Sequence, residues 1–285
     1  MQIEVKDLSC VYSEKTPFEK RALTDVSFSV EAGQSVGIVG CTGSGKSTLI
    51  QHLNGLIKLK TGKVSVLDID LSAKKPDLRA LRKGVGMLFQ YPEYQLFADT
   101  VAADVKFGPQ NFGMTKEEAE DAAREAVALV GLDYDEIKDR SPLDLSGGQK
   151  RRVAIAGVLA YRPKILILDE PTAGLDPAGK KEMLHLINSL KNRFVETVIT
   201  VSHNMDEIAE FCQRVLVLGG GKLLYDTTPE ELFYTCDVEK LGLTLPHAVR
   251  IVKGLEERGI YLPRVLTEEA LSKALVDYLG GKDHA

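Results

Sequence analysis

An α/β fold with a mainly parallel sheet flanked by helices is predicted by three features of this sequence. Short β-branched runs alternate with amphipathic helical stretches along most of the chain. Three of the runs, Ile165–Leu168, Thr197–Val201 and Arg214–Leu218, are apolar almost throughout, as expected of strands covered on both faces. A glycine-rich turn lies between the predicted strand Ser35–Val39 and a predicted helix with Leu49, Ile50, Leu53 and Leu56 on one side.

The elements follow in order. Ile3–Leu8 and Ala22–Val30 read as pieces of an antiparallel β layer, and Val85–Phe89 reads as a further strand. Between Pro109 and Tyr161 the strand signal gives way to helices. Thr115 with Glu118 forms a capping box, Ala119 to Val130 supplies an apolar stripe, and Gly131 sits where a helix stops. A final helical segment begins near Asp237. One helix is marked by Ala248, Val249, Ile251, Val252 and Leu255, and another after Thr267 by Leu271, Ala274, Leu275 and Leu279.

Bulk properties narrow the class. Of 285 residues, 44% are hydrophobic and 27% charged, the balance of an ordinary soluble globular protein. A net charge of −5 argues against nucleic acid as a partner. No apolar run approaches the roughly 18 residues that span a bilayer. The opening Met1-Gln2-Ile3-Glu4-Val5 carries an acid and no apolar core, so a secretory signal is not expected and a cytoplasmic location is. Work at a membrane would need another chain to hold this one there. Cys10, Cys41, Cys212 and Cys236 lack the paired spacing of a zinc site and are expected to be small buried or semi-buried residues.

Gly40-Cys41-Thr42-Gly43-Ser44-Gly45-Lys46-Ser47 matches the P-loop pattern in full, with Thr48 following, and it has the strand and helix that the pattern requires. Glycines let successive backbone N–H groups point at phosphate oxygens, and the helix adds the positive end of its dipole. Lys46 would neutralise the β- and γ-phosphates of a nucleotide, and the Ser47 hydroxyl would hold Mg²⁺. Ile165-Leu166-Ile167-Leu168-Asp169-Glu170 ends a buried strand in two acids. Asp169 would hold the Mg²⁺ at the carboxyl edge of the sheet, where open α/β sheets bind ligands. Glu170 would reach a water aligned on the γ-phosphate.

Leu145-Ser146-Gly147-Gly148-Gln149 is more specific, since five given residues recur by chance about once in a million positions. It opens the predicted helix Gly147–Ala160, so one chain carries two separate phosphate-binding elements. With these motifs the sequence closely resembles the ATP-binding-cassette ATPases over about residues 1–235. The resemblance implies a P-loop nucleotide-binding domain with a RecA-like parallel core, an antiparallel β layer, a helical subdomain inserted at about 92–161, and a helical extension over 236–285. It also implies that Gln90 senses Mg²⁺ and the attacking water, and that His203 contacts the γ-phosphate. His52, His185, His247 and His284 read as ordinary surface or core residues. Ala173-Gly174-Leu175-Asp176 resembles the D-loop, although Asp176 before Pro177 is equally a helix N-cap. Tyr12 stands where the family stacks an aromatic ring on adenine, with ordinary strand packing as the competing reading. Two cassettes of this family pair head to tail. The resemblance therefore gives Ser146, Gly147, Gly148, Gln149 and Asp176 to the partner's ATP, and the general base to Glu170.

Tyr91-Pro92-Glu93-Tyr94-Gln95-Leu96-Phe97, Thr16-Pro17-Phe18-Glu19 and Phe107-Gly108-Pro109-Gln110-Asn111 resemble the energy-coupling factor transporter ATPases, specifically the second of an unlike pair. That resemblance implies a second ATPase, a membrane-embedded coupling protein and a substrate-binding membrane protein as partners. It also implies uptake of vitamins or other micronutrients, and a peripheral place on the cytoplasmic face of the cell membrane. A homodimeric cobalt, nickel or other importer ATPase is the alternative. One departure is the run Tyr225-Asp226-Thr227-Thr228-Pro229, where the family usually has a glycine shortly before Thr-Pro.

Overall fold

The computed structural model describes residues 1–191 and 194–280, so His284 lies outside the described residues. In chain order the elements are β1 (Ile3–Tyr12), β2 (Lys20–Val30), β3 (Ser35–Val39), α1 (Lys46–Leu53), β4 (Thr61–Val66), β5 (Ile69–Asp70), α2 (Leu78–Gly84) and β6 (Val85–Leu88). Then follow α3 (Val101–Asn111), α4 (Lys116–Leu129), α5 (Tyr134–Ile137), α6 (Gly147–Leu159), β7 (Ile165–Asp169), α7 (Pro177–Leu190), β8 (Thr197–Val201), α8 (Met205–Phe211), β9 (Arg214–Gly219), β10 (Lys222–Thr227), α9 (Pro229–Thr235), α10 (His247–Glu256) and α11 (Glu268–Gly280). Short 3-10 turns sit at Pro92–Gln95 and Pro142–Asp144.

Two sheets organise the chain. The antiparallel sheet has the order β2-β1-β4-β5, and the larger sheet has the order β10-β9-β3-β8-β7-β6. In the larger sheet all pairings are parallel except that of the edge strand β10 with β9. Strand alternation sorts the buried side chains between layers. Ile165 and Ile167 of β7 join a core with α1 and the antiparallel sheet, whereas Leu166 and Leu168 join a core with α3, α4, α6 and α7. A third core packs Val215 and Val217 of β9 against α8, α9 and Val249 of α10. A smaller one joins α10 and α11.

Local chemistry sets the helix ends. Thr115 and Glu118 form the expected reciprocal capping box at α4, and Gly131 takes φ 73° beyond its C-cap Val130. Thr228 caps α9 by accepting from the Glu231 N–H at 3.2 Å, so the Thr-Pro pair opens the helix without a glycine before it.

Several expectations are corrected. The helical stretch begins before Pro109, since α3 runs through it from a Thr100 cap. Helix α1 ends at Leu53, and Leu56 lies beyond it, exposed. Strand β6 stops at Leu88, one residue before Phe89. Cys41 is exposed rather than buried. His247 is not a bland surface residue: its Nδ1 lies 2.7 Å from Asp206 Oδ2, joining α10 to α8. Ile251 and Leu279 mark their helices correctly but face solvent.

Phe233 of α9 is fully buried in the third core. Phe233→Ala is expected to cost about 3–5 kcal/mol through lost burial and a residual cavity, read as a lowered urea midpoint at unchanged slope.

Candidate nucleotide-hydrolysis site

Register brings the site together. Ile38 of β3 and Asp169 of β7 both pair with Val201 of β8, so the segments after these three parallel strands leave the sheet at one edge. The first carries the glycine-rich loop, the second Glu170, the third His203. Glu170 Oε1 lies 2.6 Å from His203 Nε2, and Glu170 Oε2 accepts from Gln90 Nε2 at 2.9 Å. Gln90 stands two residues past the end of β6, the neighbour of β7. Glu170 itself adopts φ 50°, in the left-handed region that non-glycine residues occupy only when their surroundings hold them there.

The loop is shaped for close backbone approach. A Cβ at Gly40 (φ 147°) would meet Leu218 O at 2.1 Å, and one at Gly45 (φ 105°) would meet Ala22 O at 2.6 Å. Gly45 is the N-cap of α1 and provides no side chain to its first amides, which leaves them for an anion. The Ser44 hydroxyl is buried without a hydrogen-bond partner in the chain. Lys46 is buried too, its Nζ donating to Gly40 O at 2.6 Å and Cys41 O at 3.1 Å. Burial lowers its pKa, and the Glu170 and Asp169 carboxylates oppose that shift. Asp169 is pushed the other way, up, first by burial and then by Glu170, while Lys46 and a hydrogen bond from Ser47 pull it back. The oxygens of Ser47 and Asp169 suit a hard cation. Among the described residues there is no group of three or more His, Cys, Asp and Glu that could hold a metal.

Tyr12 is partly exposed beside the loop, its hydroxyl 3.2 Å from Thr48 Oγ1, and the two line an open cleft with Lys20, Ala22, Gly43, Gly45, Lys46 and Ser47. Thr42 and Gly43 are exposed at the loop tip. Cys41 Sγ lies 3.2 Å from Leu241 O, in the segment joining α9 to α10. His52 is a core histidine whose Nδ1 lies 2.8 Å from Thr48 O.

The signature residues face elsewhere. Ser146 caps α6, its Oγ accepting from Gln149 N at 3.3 Å while Gln149 Oε1 accepts from Ser146 N at 3.1 Å. Ser146, Gly147 and Gly148 are exposed, and both glycines have open space around them. Asp176 caps α7 by accepting from Gly179 N at 2.7 Å, which makes the helix-cap reading of that residue a fact of the fold.

One group escaped the sequence reading. Arg151, buried on the second turn of α6, donates to Glu93 at 3.1 and 3.2 Å and to the carbonyls of Pro171 (3.4 Å) and Ala173 (2.9 Å). It joins the turn after Gln90, the signature helix and the loop after Glu170. Its signal was a pair of arginines, Arg151-Arg152, on a helix otherwise read for its apolar face. Near that turn an aromatic surface stands exposed: Tyr94 (84%), Phe97 (65%) and Phe107 (49%), with Phe97 edge-on to Phe107 at 4.8 Å.

A family model described as ABC transporter matches residues 23–173. The chain is 48% identical over 283 residues to the energy-coupling factor transporter ATP-binding protein EcfA2 of Caldanaerobacter subterraneus, covering 99% of each chain. The chain belongs to the ABC transporter family. Within it, the cassette stands among the ATP-binding subunits of energy-coupling factor transporters and is a transport ATPase. Among solved structures it resembles cbiO1 of Clostridium perfringens, part of the ABC transporter complex cbiONQ, at 36% identity and TM-score 0.72 over 88% of this chain and 98% of that one. It also resembles the ATP-binding cassette MJ0796 in a dimeric post-hydrolysis state bound to ADP and Pi, at 28% identity and TM-score 0.70 over 80% and 98%.

Thiol chemistry gives a direct check on this cassette's geometry. Burial pushes the Cys212 thiol up to about 12, whereas Cys41 is exposed on the loop. Maleimide is expected to modify Cys41 in the native protein and Cys212 only after unfolding, with ATP slowing the first reaction. Peptide mass spectrometry with and without nucleotide reads both.

Proposed function

We propose that this cassette hydrolyses ATP between two head-to-tail subunits, the other being an unlike ATPase, and thereby powers uptake of a vitamin or other micronutrient. The observation that carries the reading is the meeting of Gln90, Glu170 and His203 at the sheet edge that bears the phosphate loop. The likeness to a named EcfA2 protein supports the transport role, and the likeness to a dimeric cassette supports the pairing.

In this mechanism the amides of the Gly40–Ser47 loop and the Lys46 ammonium bind the phosphates, and the side chain of Tyr12 stacks on the adenine. Ser47, Asp169 and Gln90 would hold Mg²⁺, which when bound neutralises charge on the phosphates. Glu170 takes a proton from water as the water oxygen bonds to the γ-phosphorus and the bond to ADP breaks. Gln90 orients that water, and His203 donates a hydrogen bond to the transferring group. The exposed Ser146, Gly147 and Gly148 amides and hydroxyl, with Gln149 and Asp176, complete the site on the partner subunit's ATP.

Among the described residues no helix is long and apolar enough to cross a membrane. We assign the hold at the cytoplasmic face of the cell membrane to the aromatic surface of Tyr94, Phe97 and Phe107, which takes a helix of the membrane-embedded coupling protein. A separate membrane protein binds the nutrient. The chain divides at about residue 235, with the 236–285 extension adding to contact between the two ATPases.

Glu170→Gln is expected to keep ATP affinity and to lower turnover by about 10²- to 10⁴-fold; near-normal steady-state phosphate release would remove Glu170 as base. Phe97→Glu is expected to abolish co-purification of the membrane chain from gentle detergent extracts while ATP affinity stays unchanged. A second, unlike cassette in the unmodified extract supports the proposed pair, and copies of this chain alone count against it.

A further inference from the structure

The nucleotide chemistry leaves one buried acid unused. Glu207 of α8 is buried, as are Met205, Ile208 and Ala209 of the same short helix. Its Oε1 accepts from Thr172 Oγ1 at 2.7 Å and from Asn204 Nδ2 at 3.2 Å, and its Oε2 accepts from Ser202 Oγ at 2.8 Å. Thr172 and Ser202 are themselves buried. Thr172 stands two residues beyond Glu170 on the segment leaving β7, and Ser202 directly precedes His203 on the segment leaving β8.

One carboxylate therefore bonds both segments whose side chains meet 2.6 Å apart as the Glu170–His203 contact. The bracing extends further. Ser202 Oγ also accepts from Asn204 N at 3.0 Å, and Asn204 Oδ1 accepts from Asp206 N at 3.0 Å. His203 thus sits in a short loop held on both sides. Glu170, at φ 50°, occupies a backbone state that needs such external support. Packing alone gives no reason for an acid here, because replacing a buried polar cluster by apolar groups is often neutral or stabilising.

We propose that Glu207 is a positioning residue for ATP hydrolysis, fixing the separation and orientation of Glu170 and His203 by bonding the two segments that carry them. The inference rests on the catalytic reading of that pair given above. In this reading Glu207 meets neither nucleotide nor water itself; its bonds run to Thr172, Ser202 and Asn204. It acts through the alignment of groups that do, where a misplacement of about 1 Å costs about a hundredfold in rate.

The test uses the full chain with the chains that co-purify with it. Turnover, affinity for a fluorescent ATP analogue and thermal midpoint are measured for Glu207→Gln, for Thr172→Val and for each combined with His203→Ala. Both single variants are expected to lower kcat by about tenfold to a hundredfold, with ATP affinity within about twofold of the parent. On the His203→Ala background each is expected to add less than about twofold, because the aligned partner is already gone. Turnover within about twofold of the parent in folded Glu207→Gln and Thr172→Val overturns the proposal, as does a full repeat of the loss on the His203→Ala background. Thr172→Val keeps the test open if Glu207→Gln does not fold. Failure of the underlying reading shows separately, as Glu170→Gln and His203→Ala variants that both retain turnover.

Discussion

The parallel pairing of β3, β7 and β8 is the constraint on which the rest of the site depends. Hydrogen bonding between these strands fixes their relative heights, and a one-residue slip would exchange the side chains that fill the two cores on either face. Loop, acid and histidine then emerge at one edge although they lie far apart in sequence. Electrostatics follows from the same geometry. The carboxylates of Asp169 and Glu170 oppose the lowering of the Lys46 pKa by burial, and Glu170 adds to the raising of the Asp169 pKa while Lys46 opposes it. Phosphate brought among them would meet a positive charge already desolvated, with backbone amides at the start of α1 open toward it.

Much of this was legible in the sequence because it depends on local grammar. The glycines at 40, 43 and 45 mark a turn that only glycine tolerates, and the structure gives all three positive φ angles. The buried strands β7, β8 and β9 announced themselves by uninterrupted apolar runs. Strands β4 and β10 did not: they are mixed in polarity, and β10 is an edge strand with most of its side chains exposed or half-buried. The capping box at Thr115 has its partner three residues away and is read directly for α4, and the structure adds a second one, Ser146 with Gln149, at α6.

What the sequence hid was pairing over distance. Nothing near Arg151 points to Glu93, 58 positions away, and nothing near Glu207 points to Thr172, 35 positions away. Both acids look like ordinary helix or turn charges until the fold buries one and half-buries the other. The fold converts them into braces, one between the signature helix and the turn after Gln90, the other between the segments carrying Glu170 and His203. Where sequence patterns specify which groups react, these long-range bonds specify how firmly the groups are held.

The contact between Cys41 and the segment after α9 has a consequence for how this chain can vary. A Cβ at Gly242, which takes φ 68°, would lie 2.3 Å from Cys41 Sγ. The second position of the phosphate loop and a residue of the distant C-terminal segment therefore compete for one volume. Any side chain at Gly242 would oblige the Cys41 thiol to turn away from its contact with Leu241 O. Glycine at 242 therefore leaves the room that the Cys41 thiol occupies, and the glycine-rich loop and the segment between α9 and α10 limit each other's side chains.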